Sequence, residues 1–148
     1  MPRRTALIVA VPEAAAYYDL GDGVPAHVTI LFPFAPPGDV DEGALDAVLA
    51  PFAPFDFTLD RVERWEAASV VLPTPPDPFV ALTRAVWSRW PAWPPYGGKH
   101  DTIVPHLTTT REGIPLPLAA RCSDVRLIEE DGRGRWRTRR TFALQGVA

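Results

Sequence analysis

The sequence predicts an α+β fold, and three observations carry that prediction. Segments that suit β-strands outnumber segments that suit helices, in the order β-α-β-α-β-β-α-β-(α)-β-β. Two of the strand segments share a pattern, a proline closely followed by His-x-Thr: Pro25-Ala26-His27-Val28-Thr29 and Pro105-His106-Leu107-Thr108. The chain also holds 18 prolines in 148 residues, which implies many fixed turns between short elements rather than long helices.

Residues 5–11 form a short, nearly continuous apolar run, as in a buried strand. The run is too short for the apolar core of a signal peptide, although Arg3 and Arg4 precede it. Residues 14–20 are helix-prone through their alanines and through Pro12 at a first-turn position, and Gly21-Asp22-Gly23 ends them as a turn. The first motif strand spans 24–32 and is closed by Pro33 and Pro36-Pro37-Gly38. Asp39 or Asp41 can cap the next helix, whose Ala44, Leu45, Val48, Leu49 and Phe52 make one apolar stripe.

In 55–65, Phe55, Phe57 and Leu59 alternate with Asp56, Thr58 and Asp60, a half-buried strand with residues 69–72 as its hairpin partner. The four prolines of 73–78 require a loop. Asp77 is placed to cap a third helix over 78–90, with Phe79, Leu82, Val86 and Trp90 on one face. A stiff connector, 91–95, and a polar glycine-rich loop, 96–101, lead into the second motif strand at 102–110. Residues 114–121 are ambiguous, since Pro115 and Pro117 limit any helix to a turn or two. Residues 124–130 and 135–144 flank Asp131-Gly132-Arg133-Gly134, a hairpin signal. No linker divides the chain, so one domain over 1–148 is expected.

Composition excludes some function classes. No segment approaches the ~20 apolar residues that a membrane-spanning helix needs. Net charge is −3, against a general nucleic-acid binder of the usual basic type. The charge is uneven: residues 1–98 carry 6 basic and 12 acidic side chains, residues 99–148 carry 9 and 6, so the second half is better suited to meet a polyanion. The single cysteine, Cys122, cannot form an internal disulfide and reads as a small strand or core residue, which favours a reducing, cytoplasmic setting.

The paired motif is the chemical signal. A strand sends alternate side chains to one face, so His27 shares a face with Thr29, and His106 with Thr108. Two imidazoles can divide the roles of general base and general acid, and hydroxyls can bind phosphate oxygens. One His-x-Thr carries little information, but two among three histidines, each in a strand-like setting, are a specific one. Arg111, three residues past Thr108, is a candidate phosphate contact or a surface residue. His100 in the glycine-rich loop is an accessory candidate that could orient substrate. With Asp101 and His106 it could approach a metal site, but nothing completes a shell, so no metal or other cofactor is expected. Tyr17, Tyr18, Phe32, Phe34 and Trp65 are either core or stacking platforms for a base, and Arg135, Arg137 and Arg139 either line a cleft or meet solvent.

The residues Pro-Ala-His27-Val-Thr29-Ile-Leu-Phe-Pro-Phe and Pro105-His106-Leu-Thr108-Thr-Thr-Arg111 resemble the two motifs of the 2H phosphoesterase superfamily, in its bacterial 2′-5′ RNA ligase-like and cyclic phosphodiesterase branch. The likeness covers nearly the whole chain, including the terminal hairpin with Trp136. Thr109 stands where an apolar residue is more usual. The resemblance implies two pseudo-symmetric lobes of antiparallel sheet flanked by helices, with the motif strands facing across a central cleft. It implies metal-independent hydrolysis of 2′,3′-cyclic phosphates on RNA ends or small nucleotides, with His27 and His106 catalytic and Thr29 and Thr108 on the phosphate. 2′-5′ RNA ligation is an alternative. A module that only binds RNA or a nucleotide is another, though binding alone would not need two titratable groups.

Overall fold

The computed structural model describes residues 3–66, 68–99 and 102–146. Strands β1 (Thr5–Ala10) and β2 (His27–Leu31) come first, then helix α1 (Glu42–Leu49) and the long hairpin β3 (Phe55–Trp65) and β4 (Ala68–Thr74). Helix α2 (Asp77–Arg89) follows, then β5 (Leu107–Thr109), β6 (Leu118–Cys122), β7 (Asp124–Glu130) and β8 (Trp136–Ala143). All the strands join one antiparallel sheet in the order β6-β3-β4-β5-β2-β1-β7-β8.

The expected lobes are the two halves of this sheet. One half is β6-β3-β4-β5 and the other is β2-β1-β7-β8. They meet at β5 and β2, where Val28 opposite Leu107 is the paired position. The two motif strands therefore lie side by side at the seam of a curled sheet, and the cleft is the sheet's open face.

One face is buried under the helices. Leu7, Val9, Val28, Leu59, Val71, Leu107 and Leu127 pack there with Leu45 and Leu49 of α1 and Phe79, Leu82 and Val86 of α2. The stripe read from the sequence accounts for this, and Asp41 caps α1 by accepting a hydrogen bond from the Ala44 N–H, 3.0 Å. Thr83 ties α2 to the sheet by donating to the Ile30 carbonyl, 2.7 Å. The opposite face carries a small second cluster of Ala6, Ile8 and Ile128 with Val24, Phe32 and Trp136. Phe142 and Leu144 are buried, and so, as read, is Cys122, whose thiol pKa burial pushes up to about 12.

Four local expectations change. Residues 14–20 hold no α-helix; a 3₁₀ turn at Pro12–Tyr17 stands there, and Tyr18 is already extended (φ −144°, ψ 123°). The three alanines bury only Ala14 and supply no stripe to hold a longer helix. The motif strands are shorter than 24–32 and 102–110, because Pro25 and Pro105 lack the N–H that would extend the ladder. Residues 114–121 become β6, which pairs Leu118–Cys122 with the first half of β3 beyond both prolines. Asp77 lies within the first turn of α2, with Pro76 at the N-cap and no side-chain cap. Among the described residues, no helix is long and apolar enough to cross a membrane.

Candidate active site

The register at the seam builds the site. Val28 and Leu107 are opposite one another and wholly buried on the helix-covered face. Alternation sends their neighbours to the open face, with His27 across from Thr108 and Thr29 across from His106. Each imidazole thus lies on the same face as a hydroxyl from the other half, in a two-fold arrangement. All four residues are half-buried.

The two histidines are held alike. His27 Nδ1 is 2.7 Å from the Pro25 carbonyl, and His106 Nδ1 is 2.8 Å from the Val104 carbonyl. A carbonyl only accepts, so each Nδ1 carries its proton and donates. Each Nε2 is then the atom whose protonation changes. Each ring also leans on an aromatic from its own half. Tyr18 meets His27 edge-on with centroids 5.4 Å apart, and Trp65 meets His106 at 4.5 Å, tilted by 59°. Of the five aromatics weighed as core or platform, these two flank the site, while Phe34 belongs to the core.

Burial lowers the His27 pKa. The Pro25 hydrogen bond and Asp22 oppose that shift, and the charge of His106 adds to it. The mutual repulsion couples the two rings: protonating one disfavours the other.

Three further groups escaped sequence reasoning. Tyr96 is hydrogen-bonded through its side chain to Thr29, and burial raises its pKa. Its backbone N–H donates to the Phe32 carbonyl, 2.6 Å, and holds Tyr96 at φ 52°, ψ 34°. A left-handed tyrosine costs about 1–2 kcal/mol, so the contacts that fix it there oppose a real strain. The second group is Arg126 on β7. Ile8 pairs with both Thr29 and Arg126, so Arg126, Ile8 and Thr29 project from the same face. The Arg126 Nε is buried and has no hydrogen-bond partner among the described residues. Neither signal is readable locally, since one needs a turn geometry and the other the order of three strands.

The third is a recess of about 880 Å³ that starts at Thr29, His106 and Trp65. Past the Val28–Leu107 pair the seam is no longer laddered, so the space between Ile30 and residues 103–105 opens toward α2. Thr83, Arg84 and Trp87 of α2 line its far wall, with Tyr96 and Lys99 from the connector.

Arg111 lies apart from this recess. It is exposed and lines a separate hollow with Thr109, Ser69 and Arg64, while its N–H donates to the Tyr17 carbonyl. Arg137 pairs with Glu129 at 2.7 Å and Arg139 with Glu42 at 2.7 Å, and Arg135 donates to the Gly21 carbonyl. His100 and Asp101 lie outside the described residues. Among the described residues, no three His, Cys, Asp or Glu side chains gather as a metal-binding set.

The architecture is that of the LigT-like 2H phosphoesterases. E. coli LigT complexed with NADP+ is 22% identical at a TM-score of 0.59, over 97% of this chain and 98% of that one. E. coli LigT complexed with 3′-AMP is 19% identical at a TM-score of 0.61, over 97% and 99%. TT0787 of Thermus thermophilus is 19% identical at a TM-score of 0.65, over 98% and 100%. The sequence model described as the 2′-5′ RNA ligase superfamily matches residues 3–137, nearly the whole chain, and the chain belongs to that superfamily. No curated protein matches it significantly.

Proposed function

We propose that the protein is a phosphodiesterase that hydrolyses 2′,3′-cyclic phosphates of nucleotides or RNA ends by two-histidine acid–base catalysis. The observation that carries the reading is the seam register, which puts two imidazoles and two hydroxyls on one face, with each Nδ1 committed to a carbonyl so that proton exchange falls to Nε2. Nucleotides bound to the structurally similar LigT support the substrate class.

In the proposed reaction a water oxygen attacks phosphorus while His27 Nε2 takes its proton. The bond from phosphorus to one ribose oxygen breaks, and that oxygen receives a proton from His106 Nε2. The product is a phosphomonoester, and the two rings have exchanged protonation states. Burial favours neutral His27, which suits the base. His106, set against the Trp65 indole at the mouth of the recess, is then the acid. Thr29, oriented by Tyr96, and Thr108 hold non-bridging oxygens, where charge grows in the transition state. Arg126 faces the same charge from two strands away, through a guanidinium that no described carboxylate neutralises.

A ribose hydroxyl in place of water would give a 2′-5′ linkage through the same proton transfers, a reading favoured by the superfamily match. The test is turnover of nucleoside 2′,3′-cyclic monophosphates by wild type, His27→Ala and His106→Ala, with products identified by phosphorus NMR. Phosphomonoester formation that fails in both variants is expected. Near wild-type turnover in either variant would sink the mechanism, and a phosphodiester product would replace hydrolysis with ligation.

A further inference from the structure

The recess beside His106 is larger than a cyclic phosphate needs. Its volume, about 880 Å³, lies high in the range of roughly 300–1,000 Å³ typical of small-molecule sites. Its chemistry is selective as well. Arg84 and Trp87 are three residues apart on α2 and share one face of that helix. Trp87 is 38% exposed, a large aromatic left open beside the recess rather than packed away. Lys99 reaches the same space from the connector. Arg84 and Lys99 are exposed, and neither is in an ion pair with a described residue. No carboxylate is among the described residues that line the recess, although the chain as a whole carries more acids than bases. An open indole beside two cations that no described carboxylate pairs with matches a flat π-system joined to an anion.

We propose that this recess is a nucleotide subsite: Trp87 stacks the base of the terminal nucleotide, and Arg84 and Lys99 receive the phosphodiester on its 5′ side. The inference rests on the function proposed above and names its substrate more closely. The preferred substrate is an oligonucleotide end, not a free cyclic mononucleotide. Base stacking on an aromatic tolerates any base, so the subsite selects for chain continuation and not for sequence. Its cationic part acts near the surface and weakens with salt.

The probes are adenosine 2′,3′-cyclic monophosphate and the dinucleotide ApA ending in a 2′,3′-cyclic phosphate. Wild type is expected to favour the dinucleotide in kcat/KM by about tenfold, as two exposed charge contacts of a few-fold each would give. In the Arg84→Ala/Lys99→Ala variant that ratio falls to near one. In wild type it shrinks as salt rises from about 50 to about 500 mM, where screening is several-fold shorter in range. Equal use of both substrates by wild type, or a ratio unchanged in the double variant, overturns the subsite. If wild type turns over neither substrate, the function proposed above fails. Calorimetric binding of ApA 3′-phosphate against 3′-AMP then decides the subsite alone: tighter binding of the dinucleotide that the double variant loses upholds it, and equal binding removes it.

Discussion

The two halves of the sheet bring the same parts to the seam and place them in different surroundings. Each half supplies a histidine, a threonine two residues on, a carbonyl for the Nδ1 proton and an aromatic against the ring. The half of β2 holds His27 against the edge of Tyr18, where burial disfavours its charge. The half of β5 holds His106 against an indole, at the mouth of the recess. Equivalent backbones thus give inequivalent imidazoles. In the proposed mechanism the motif supplies the atoms for the phosphate, and the packing around it would divide the labour of acid and base.

The comparison breaks most sharply at the histidines. His27→Ala and His106→Ala should each lower kcat by about 10²–10⁴-fold. The pH profile of kcat/KM should separate them: His27→Ala abolishes the ascending limb and His106→Ala the descending one. The opposite pairing would reverse the roles assigned to the two halves. Because His27 has a lowered pKa, the ascending limb of the wild type should have its midpoint below the ordinary histidine value of about 6.5.

Arg126→Ala should lower kcat/KM by about tenfold to a hundredfold, the size expected for a hydrogen bond to a charged group. Added guanidinium should restore part of the loss. A variant with wild-type kinetics would remove Arg126 from the site. Thr29→Val and Thr108→Val should each cost about tenfold in kcat. Tyr96→Phe should cost less than Thr29→Val and should show in kcat more than in KM, because it only orients the Thr29 hydroxyl.

The smallest effect concerns stability. The folded His27 resists protonation, so in the unfolded chain it takes up a proton at higher pH than in the native protein. Its contribution to stability is therefore complete above about pH 6.5 and is lost as pH falls toward its lowered folded value. Urea unfolding of wild type and His27→Gln, compared about one unit above and one to two units below that ordinary histidine value, should show a smaller acid-side loss in the variant. Equal losses would mean that burial does not hold His27 neutral.

Much of this was legible in the chain. The alternation of 55–65, the stripe over Leu45 and Leu49, and the turn at residues 131–134 announced their elements, because each is a local pattern. The His-x-Thr pairs singled out by repetition the four residues that the fold brings to the seam. What stayed hidden depends on who sits next to whom. Arg126 shares the open face with Thr29 only because β1 lies between β2 and β7, an order that no local periodicity encodes. The recess opens where Pro105 ends the seam between the two motif strands. Tyr96 becomes a partner of Thr29 through a left-handed turn that its own residue type disfavours. The helix expected at 14–20 failed for the converse reason: local propensity without a buried face to reward it.

The strand order has a consequence for biogenesis. β1 leaves the ribosome first, yet one of its two edges is filled only by β7, more than a hundred residues later. Until then an apolar N-terminal strand presents unpaired N–H and C=O groups, the kind of edge that invites pairing with another chain. The half that carries His27 is thus closed last, by the C-terminal hairpin that also delivers Arg126. A nascent chain stalled before residue 124 would hold both histidines and still lack the strand that carries Arg126. Truncation or slow synthesis at that point should appear as aggregation, not as partial activity.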